Sequence, residues 1–195
     1  MKLTKIMSLV VLIAISFNAQ SALILNSDGL VSSISGIEAN NTIYQVDFID
    51  GTCFELFEEC DSEIDFIFES EAQALAAGTA MLQQLNDYGA PLIAGGALNG
   101  EPGGVGCNLV GSCEYVIPYQ LVGLDGVEVV VVQNQTGDTP DSIFGAAFHI
   151  SDFNTGAFDF YTYAVFSETN VPAPINFGMF LVGLLFLVYG SRNGE

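Results

Sequence analysis

Thr42-Ile43-Tyr44-Gln45-Val46-Asp47-Phe48-Ile49 is the stretch whose reading decides the fold class. Tyr44, Val46 and Phe48 fall on one side of an extended chain, and Gln45 and Asp47 on the other. That period of two belongs to a strand with one face on a core and one in water. Just upstream, Ala39-Asn40-Asn41 supplies turn residues after a second extended run, Ile34 to Glu38, so the two segments read as a hairpin. Downstream, Ile64, Phe66 and Phe68 repeat the alternation opposite Asp65 and Glu69, which predicts another strand.

The period then changes. Ser70 with Gln73 three residues later reads as a capping box, and Glu71 favours a helix N-terminus. Ala74, Leu75, Gly78, Met81, Leu82 and Leu85 form one apolar stripe, so Glu71 to about Asn86 is expected to be an amphipathic helix packed on the core. Tyr88 to Gly106 is rich in Gly, Pro, Ala and Asn and reads as a long loop. Four more strands follow: Tyr115 to Val122, Val127 to Val132, Ile143 to Ile150 and Ala157 to Ser167. Leu124-Asp125-Gly126 makes a tight turn between the first two. Val129 to Val132 is apolar on both faces, which places it centrally in the sheet. The expected fold is α+β, mostly β: an antiparallel sheet of about six to seven strands with one covering amphipathic helix, flanked by an N-terminal signal peptide and a C-terminal transmembrane helix.

The charge distribution is severe. Of 195 residues only 3 are Lys or Arg, against 23 Asp or Glu. Lys2 and Lys5 precede the first apolar run and Arg192 follows the last, with no Lys or Arg between Lys5 and Arg192. All the acids except Glu195 lie in that interval, so residues 23–168 carry a formal charge near −22 (23 less 1) and cannot form a Lys or Arg salt bridge. Nucleic acid is excluded as a partner, because phosphate binding needs the missing bases. Self-repulsion should weaken the fold at low ionic strength and be relieved by salt or divalent ions.

Cys53, Cys60, Cys107 and Cys113 all lie in the acidic body. An even number in an oxidising compartment argues for two disulfides. Three pairings are possible, and spacing suggests Cys53–Cys60 and Cys107–Cys113. Seven residues of helix would separate the first pair by about 10 Å, beyond reach of a bridge, so Phe54 to Glu59 must then turn tightly. Zinc is the competing reading, but structural zinc sites favour closer spacing.

No catalytic constellation is evident. His149, the one histidine, falls on the face of Ile143, Gly145 and Ala147, opposite Phe144, Phe148 and Ile150, and no nucleophile motif accompanies it. With so many carboxylates, a glycosidase-like pair would arise by chance. The expected catalytic, cofactor and metal residues are therefore none. Calcium is the one ion worth weighing, because eight acids crowd between Asp47 and Asp65, although no EF-hand pattern is present.

The ends are targeting devices in outline. Lys2 and Lys5, the apolar run Ile6 to Phe17 and the small residues of Asn18-Ala19-Gln20-Ser21-Ala22 compose a signal peptide, residues 1–22, for the Sec translocon. Its apolar run is short for a stable membrane span, which favours cleavage over an uncleaved anchor. Residues 23–168 form the exported body. In the tail, 169–195, Val171-Pro172-Ala173-Pro174 breaks preceding structure. Residues 175–190 then form an uncharged membrane segment, and Arg192 ends it. Ile175 to Tyr189 is about 22 Å long as a helix, against a hydrocarbon core of about 30 Å, which suits a temporary tether.

That tail resembles the PEP-CTERM sorting signal in its Val-Pro-x-Pro variant. The resemblance implies recognition of Val171, Pro172, Ala173 and Pro174 by an exosortase, with Arg192 as the basic end. It further implies tail removal after transient anchoring in the inner membrane, delivery to the cell surface or extracellular matrix, and an association with exopolysaccharide or biofilm. Ala173 stands where the commonest motif has Glu, and a lone Arg192 where it has a basic cluster. An ordinary single-pass anchor is the alternative for the tail. For the body, the alternative to a non-catalytic surface protein is a tethered hydrolase or a calcium- or ligand-binding module.

Overall fold

The computed structural model describes residues 21–89, 106, 107, 112–123, 125–135 and 140–169. Residues 1–20 of the expected signal peptide, the expected transmembrane helix, and Val171, Pro172, Ala173, Pro174 and Arg192 lie outside the described residues. Among those described, no helix is long and apolar enough to cross a membrane.

Seven strands form one sheet: β1 (Ala22–Leu25), β2 (Val31–Ala39), β3 (Thr42–Ile49), β4 (Ser112–Val122), β5 (Gly126–Gln135), β6 (Ser142–Ile150) and β7 (Tyr161–Glu168), in the spatial order β1-β2-β3-β7-β4-β5-β6. Among the described residues the α-helices are a single turn, α1 (Cys53–Leu56), and one long helix, α2 (Glu71–Gly89). The protein is mostly β, as the alternating pattern predicts.

The sheet is mixed, which corrects the antiparallel expectation. The last strand inserts between β3 and β4, antiparallel to the first and parallel to the second. Local periodicity carries no information on where a strand docks, so this pairing was not legible in β7 itself. It also makes β7 the central strand. The Val129–Val132 run expected at the centre lies in β5, one strand from the edge, although all four valines are buried.

The β2–β3 hairpin is the one expected. Ala39 pairs with Thr42, and Asn40 and Asn41 both take left-handed backbone (φ 52° and 60°), the geometry of a two-residue loop that asparagine tolerates. In β2, Gly36 (φ 77°) forms a bulge. Ile34 and Ile37, three residues apart, therefore both reach the helix-side core, each fully buried.

A second bulge overturns the expected faces of β6. The register slips between Phe144, opposite Val131, and Ala147, opposite Val129, with Ala146 at φ 50°. Ile143 therefore packs into the helix-side core. Ala147 packs on the opposite side, and His149, two residues on, shares that side rather than the face of Ile143. The alternation argument assumed an unbroken strand, and one extra residue inverts it.

Helix α2 contacts β2 on one flank and β4, β5 and β6 on the other. Ser70 Oγ accepts the Gln73 N–H at 3.4 Å, the expected cap, whereas Gln73 Oε1 reaches one residue further back, to the Glu69 N–H at 2.8 Å. Ala74, Ala77, Met81, Leu82 and Leu85 are buried. Leu75, placed in the apolar stripe above, is exposed, because Ala77 takes its share of the seam. Gly78 lets the helix lie close to the sheet: a Cβ there would stand 2.8 Å from Val132 Cγ2 and 3.1 Å from Ile117 Cδ1.

The opposite face is covered by two irregular segments, residues 51–66 and 151–160. They are stitched together where Thr155 N–H donates to Gly51 C=O (2.9 Å) and Gly51 N–H donates to Thr155 Oγ1 (3.1 Å). Beneath them lie Val116, Val127, Val129, Val131 and Tyr163.

The expected Ile64–Glu69 strand does not form. Asp65 caps a short 3₁₀ turn by accepting the Asp61 and Ser62 N–H groups (3.1 and 2.9 Å), which holds Ile64 out in solvent at 90% exposure. Phe66 and Phe68 are buried in different cores, one on each face. The seventh strand is instead β1, paired with β2 from Ala22 onward.

Candidate functional site

Both cystines form as spacing suggested: Cys53–Cys60 and Cys107–Cys113, with Cα separations of 5.6 and 5.5 Å. The first closes over α1 and a 3₁₀ turn, the tight path its geometry demanded. Glu58, Glu59 and Cys60 are left-handed in succession (φ 44°, 72° and 53°). All four sulfurs are bridged, so none is left as a thiolate ligand.

The carboxylates between Asp47 and Asp65 do not converge. Glu55 Oε2 accepts the Thr52 N–H (2.9 Å) and Asp65 caps its own turn, so these acids act as backbone caps. Among the described residues no three His, Cys, Asp or Glu side chains stand close enough to share a metal ion. At the end of β3, Asp50 sits under Gly106, where any side chain would collide with the carboxylate. Partial burial raises its pKa, against the lowering effect of hydroxyls from Thr162 and Thr155.

His149 packs on the Phe153 ring at 4.6 Å and near Tyr161 at 6.0 Å, within a run of rings that continues through Phe158 and Phe160. Among the described residues no hydrogen bond joins its imidazole to a carboxylate or hydroxyl. Burial holds its pKa below the ordinary 6.5. The charged form is disfavoured in the fold, so this contribution to stability is intact above about pH 6.5 and is lost as pH falls through the depressed folded value. His149→Gln should therefore raise the melting temperature at about pH 5 relative to pH 7, compared with the parent. Parallel Tm–pH curves for the two proteins would contradict it.

The feature that can hold a ligand lies where β4 and β7 part. They pair only over Glu114–Val116 and Tyr161–Tyr163. Glu114 N–H donates to Phe160 C=O at 2.8 Å, and rungs of a parallel ladder recur every second residue. The rung after Val116 would therefore run from a residue-118 N–H to Ala164 C=O. Residue 118 is proline, which has no N–H, so the ladder stops and the strands diverge.

The Phe66–Phe68 segment plugs the gap. Phe66 stacks edgewise on Phe57 at 5.9 Å on one face, and Phe68 on Tyr44 and Phe166 at 5.5 and 5.1 Å on the other. The plug leaves two adjoining cavities. One, of about 280 Å³, is walled by Leu56, Phe68, Pro118, Ala164 and Phe166, with Glu58 and Asp65 at its edge. The other, of about 530 Å³, lies against Phe66, Tyr119 and Gln120, with Glu63 and Glu69 beside it. Ile64 and Ile67 line both. Tyr119 donates to Glu128 at 3.0 Å, and burial followed by that hydrogen bond pushes its pKa up to about 12, so it stays a neutral phenol.

Of the cleft residues, Glu58, Glu63 and Asp65 were weighed from sequence, as members of the acidic run considered for calcium, and the rest were not singled out as a site. A proline inside an otherwise apolar strand was the available signal, because such a residue marks a broken ladder. Fold and cleft together define a mostly β, disulfide-bonded domain with a split mixed sheet. No protein-family model, curated protein or solved structure matches this chain significantly.

Proposed function

We infer that this chain is the precursor of a non-catalytic protein of the bacterial cell surface or extracellular matrix. A Sec-type signal peptide, residues 1–22, exports it, and the tail at Val171-Pro172-Ala173-Pro174 is the substrate of an exosortase-type protease. Residues 175–190 tether it transiently to the inner membrane, with Arg192 on the cytoplasmic side, before release to the surface and association with exopolysaccharide.

The observation that carries this reading is the segregation of charge. Every Lys and Arg lies outside the apolar runs at the two ends, and 22 acids (23 less Glu195) lie between them. Basic flanks stay on the cytoplasmic side, which leaves the anionic body to cross. Two cystines within that body fit an oxidising compartment. The strands described run from Ala22 to Glu168, so the first of them begins at the last residue of the proposed signal peptide.

Intact-mass analysis of the protein from its native host, with and without reductant, tests all of this together. We expect loss of about residues 1–22, loss of the tail near Pro172, and a gain of two hydrogens per bridge on reduction. A full-length cytosolic chain with four free thiols would overturn the reading. A chain that retains residues 175–190 after export would leave it an ordinary anchored protein.

A further inference from the structure

We propose that the cleft between β4 and β7 is a binding site for a small amphiphilic cation, an ammonium group carrying a short apolar chain. The inference does not depend on how the protein is sorted. It rests on the shape, the backbone and the charge of the cleft.

Shape comes first. The two cavities adjoin across Ile64 and Ile67, and aliphatic and aromatic side chains stand in their walls, although polar atoms make up more of the exposed lining than apolar ones. A packed sheet seldom leaves such space, because closing it recovers dispersion contacts. Here one rung of closure is missing: residue 118 has no N–H, so β4 cannot donate to Ala164 C=O. Ile64 stays 90% exposed at the mouth of both cavities. An isolated isoleucine in solvent is ordinary, but one at the lip of two cavities offers an apolar surface to anything entering.

The backbone supplies acceptors. The interrupted ladder turns Ala164 C=O toward the cleft with no strand partner at residue 118. A buried carbonyl that loses its ladder partner favours a donor from a ligand or water. An ammonium head group is such a donor, and it has no acceptor to leave unpaired.

Charge selects among donors. Glu58 and Asp65 border the first cavity and Glu63 and Glu69 the second, with no Lys or Arg anywhere from residue 6 to 191. Asp65 Oδ2 is committed to two backbone N–H groups, which leaves its other oxygen and the Glu58 carboxylate for a cation. Anions are repelled by all four acids and by the net charge of the body.

The test uses the full chain, isotope-labelled, oxidised and embedded in zwitterionic nanodiscs, with amide shifts read at each residue. Hexylammonium, hexanol, hexanoate and methylammonium are titrated at matched ionic strength. We expect hexylammonium to shift Ile64, Ile67, Ala164 and Val165 saturably and to bind at least tenfold tighter than hexanol, with no saturable shift from hexanoate or methylammonium. Glu58→Gln should weaken hexylammonium several-fold and leave hexanol unchanged. Ile64→Ser, at a position too exposed to threaten the fold, should weaken both. Pro118→Val, which restores the missing N–H, should close the cleft and abolish both.

Equal affinity for the three six-carbon probes would reduce the cleft to a greasy hollow and overturn the proposal. Methylammonium as effective as hexylammonium would reduce it to bulk charge, with the same consequence. Shifts confined to other residues, or no saturable binding at all, would also overturn it.

Discussion

Phe68→Ala should lower the melting temperature by about 10–15 °C, a loss of roughly 3–5 kcal/mol. Phe68 is 1% exposed and packs edgewise on Tyr44 and Phe166, rings that belong to β3 and β7. Truncation removes the ring and joins the space left behind to the neighbouring cavity. Relaxation cannot fill that space, because the strands beside it are held apart where their ladder ends. Phe68→Leu should cost about half as much. Ile64→Ser, four residues away, should change stability by less than about 0.5 kcal/mol, since Ile64 is already in water. Thermal unfolding followed by circular dichroism checks all three. A Phe68→Ala Tm within a few degrees of the parent would mean that the plug is not packed as described.

Loss of the two cystines should cost about 4–5 kcal/mol together, about 2 kcal/mol for each ring of this length. The bridges join residues 7 and 6 apart in sequence. Against a usual stability of about 5–15 kcal/mol, this is a large share of the total. The two losses should differ in kind. Cys53–Cys60 closes a loop with three successive left-handed residues, Glu58, Glu59 and Cys60, a conformation costing about 1–2 kcal/mol per L-residue. Once the bridge is cut, that loop can relax and Phe57 can withdraw from Tyr163, 5.6 Å away. Cys53→Ser with Cys60→Ser should therefore show fast amide exchange over residues 53–66 while the sheet stays protected. Cys107 and Cys113 are buried in the helix-side core, 3% and 0% exposed, so replacing them should lower global stability instead. Urea unfolding with and without reductant gives the sum. An unchanged midpoint would contradict it.

Much of the fold was legible because it is enforced locally. Asn40-Asn41 announces its hairpin through the backbone that asparagine tolerates, Ser70 and Gln73 mark a helix start, and cysteine spacing favours short-range bridges. The misreadings share one cause, which is that periodicity assumes an uninterrupted element. Bulges at Gly36 and at Gly145-Ala146 move Ile37, Ala147 and His149 to faces that simple counting does not give. Ile64, Phe66 and Phe68 alternate as a strand does, yet an Asp65-capped turn leaves Ile64 in solvent and sends Phe66 and Phe68 into the cores on opposite faces.

What this sequence determined by itself is chemical and local: the anionic body between basic ends, the strand-rich composition, the hairpin, the helix and the cystine rings. Each follows from residues near one another in the chain. The tertiary structure alone decided that β7 enters between β3 and β4, parallel to the second. That non-local pairing ends at Val116 and Tyr163, and the next rung, from a residue-118 N–H to Ala164 C=O, is missing at the cleft because residue 118 is proline.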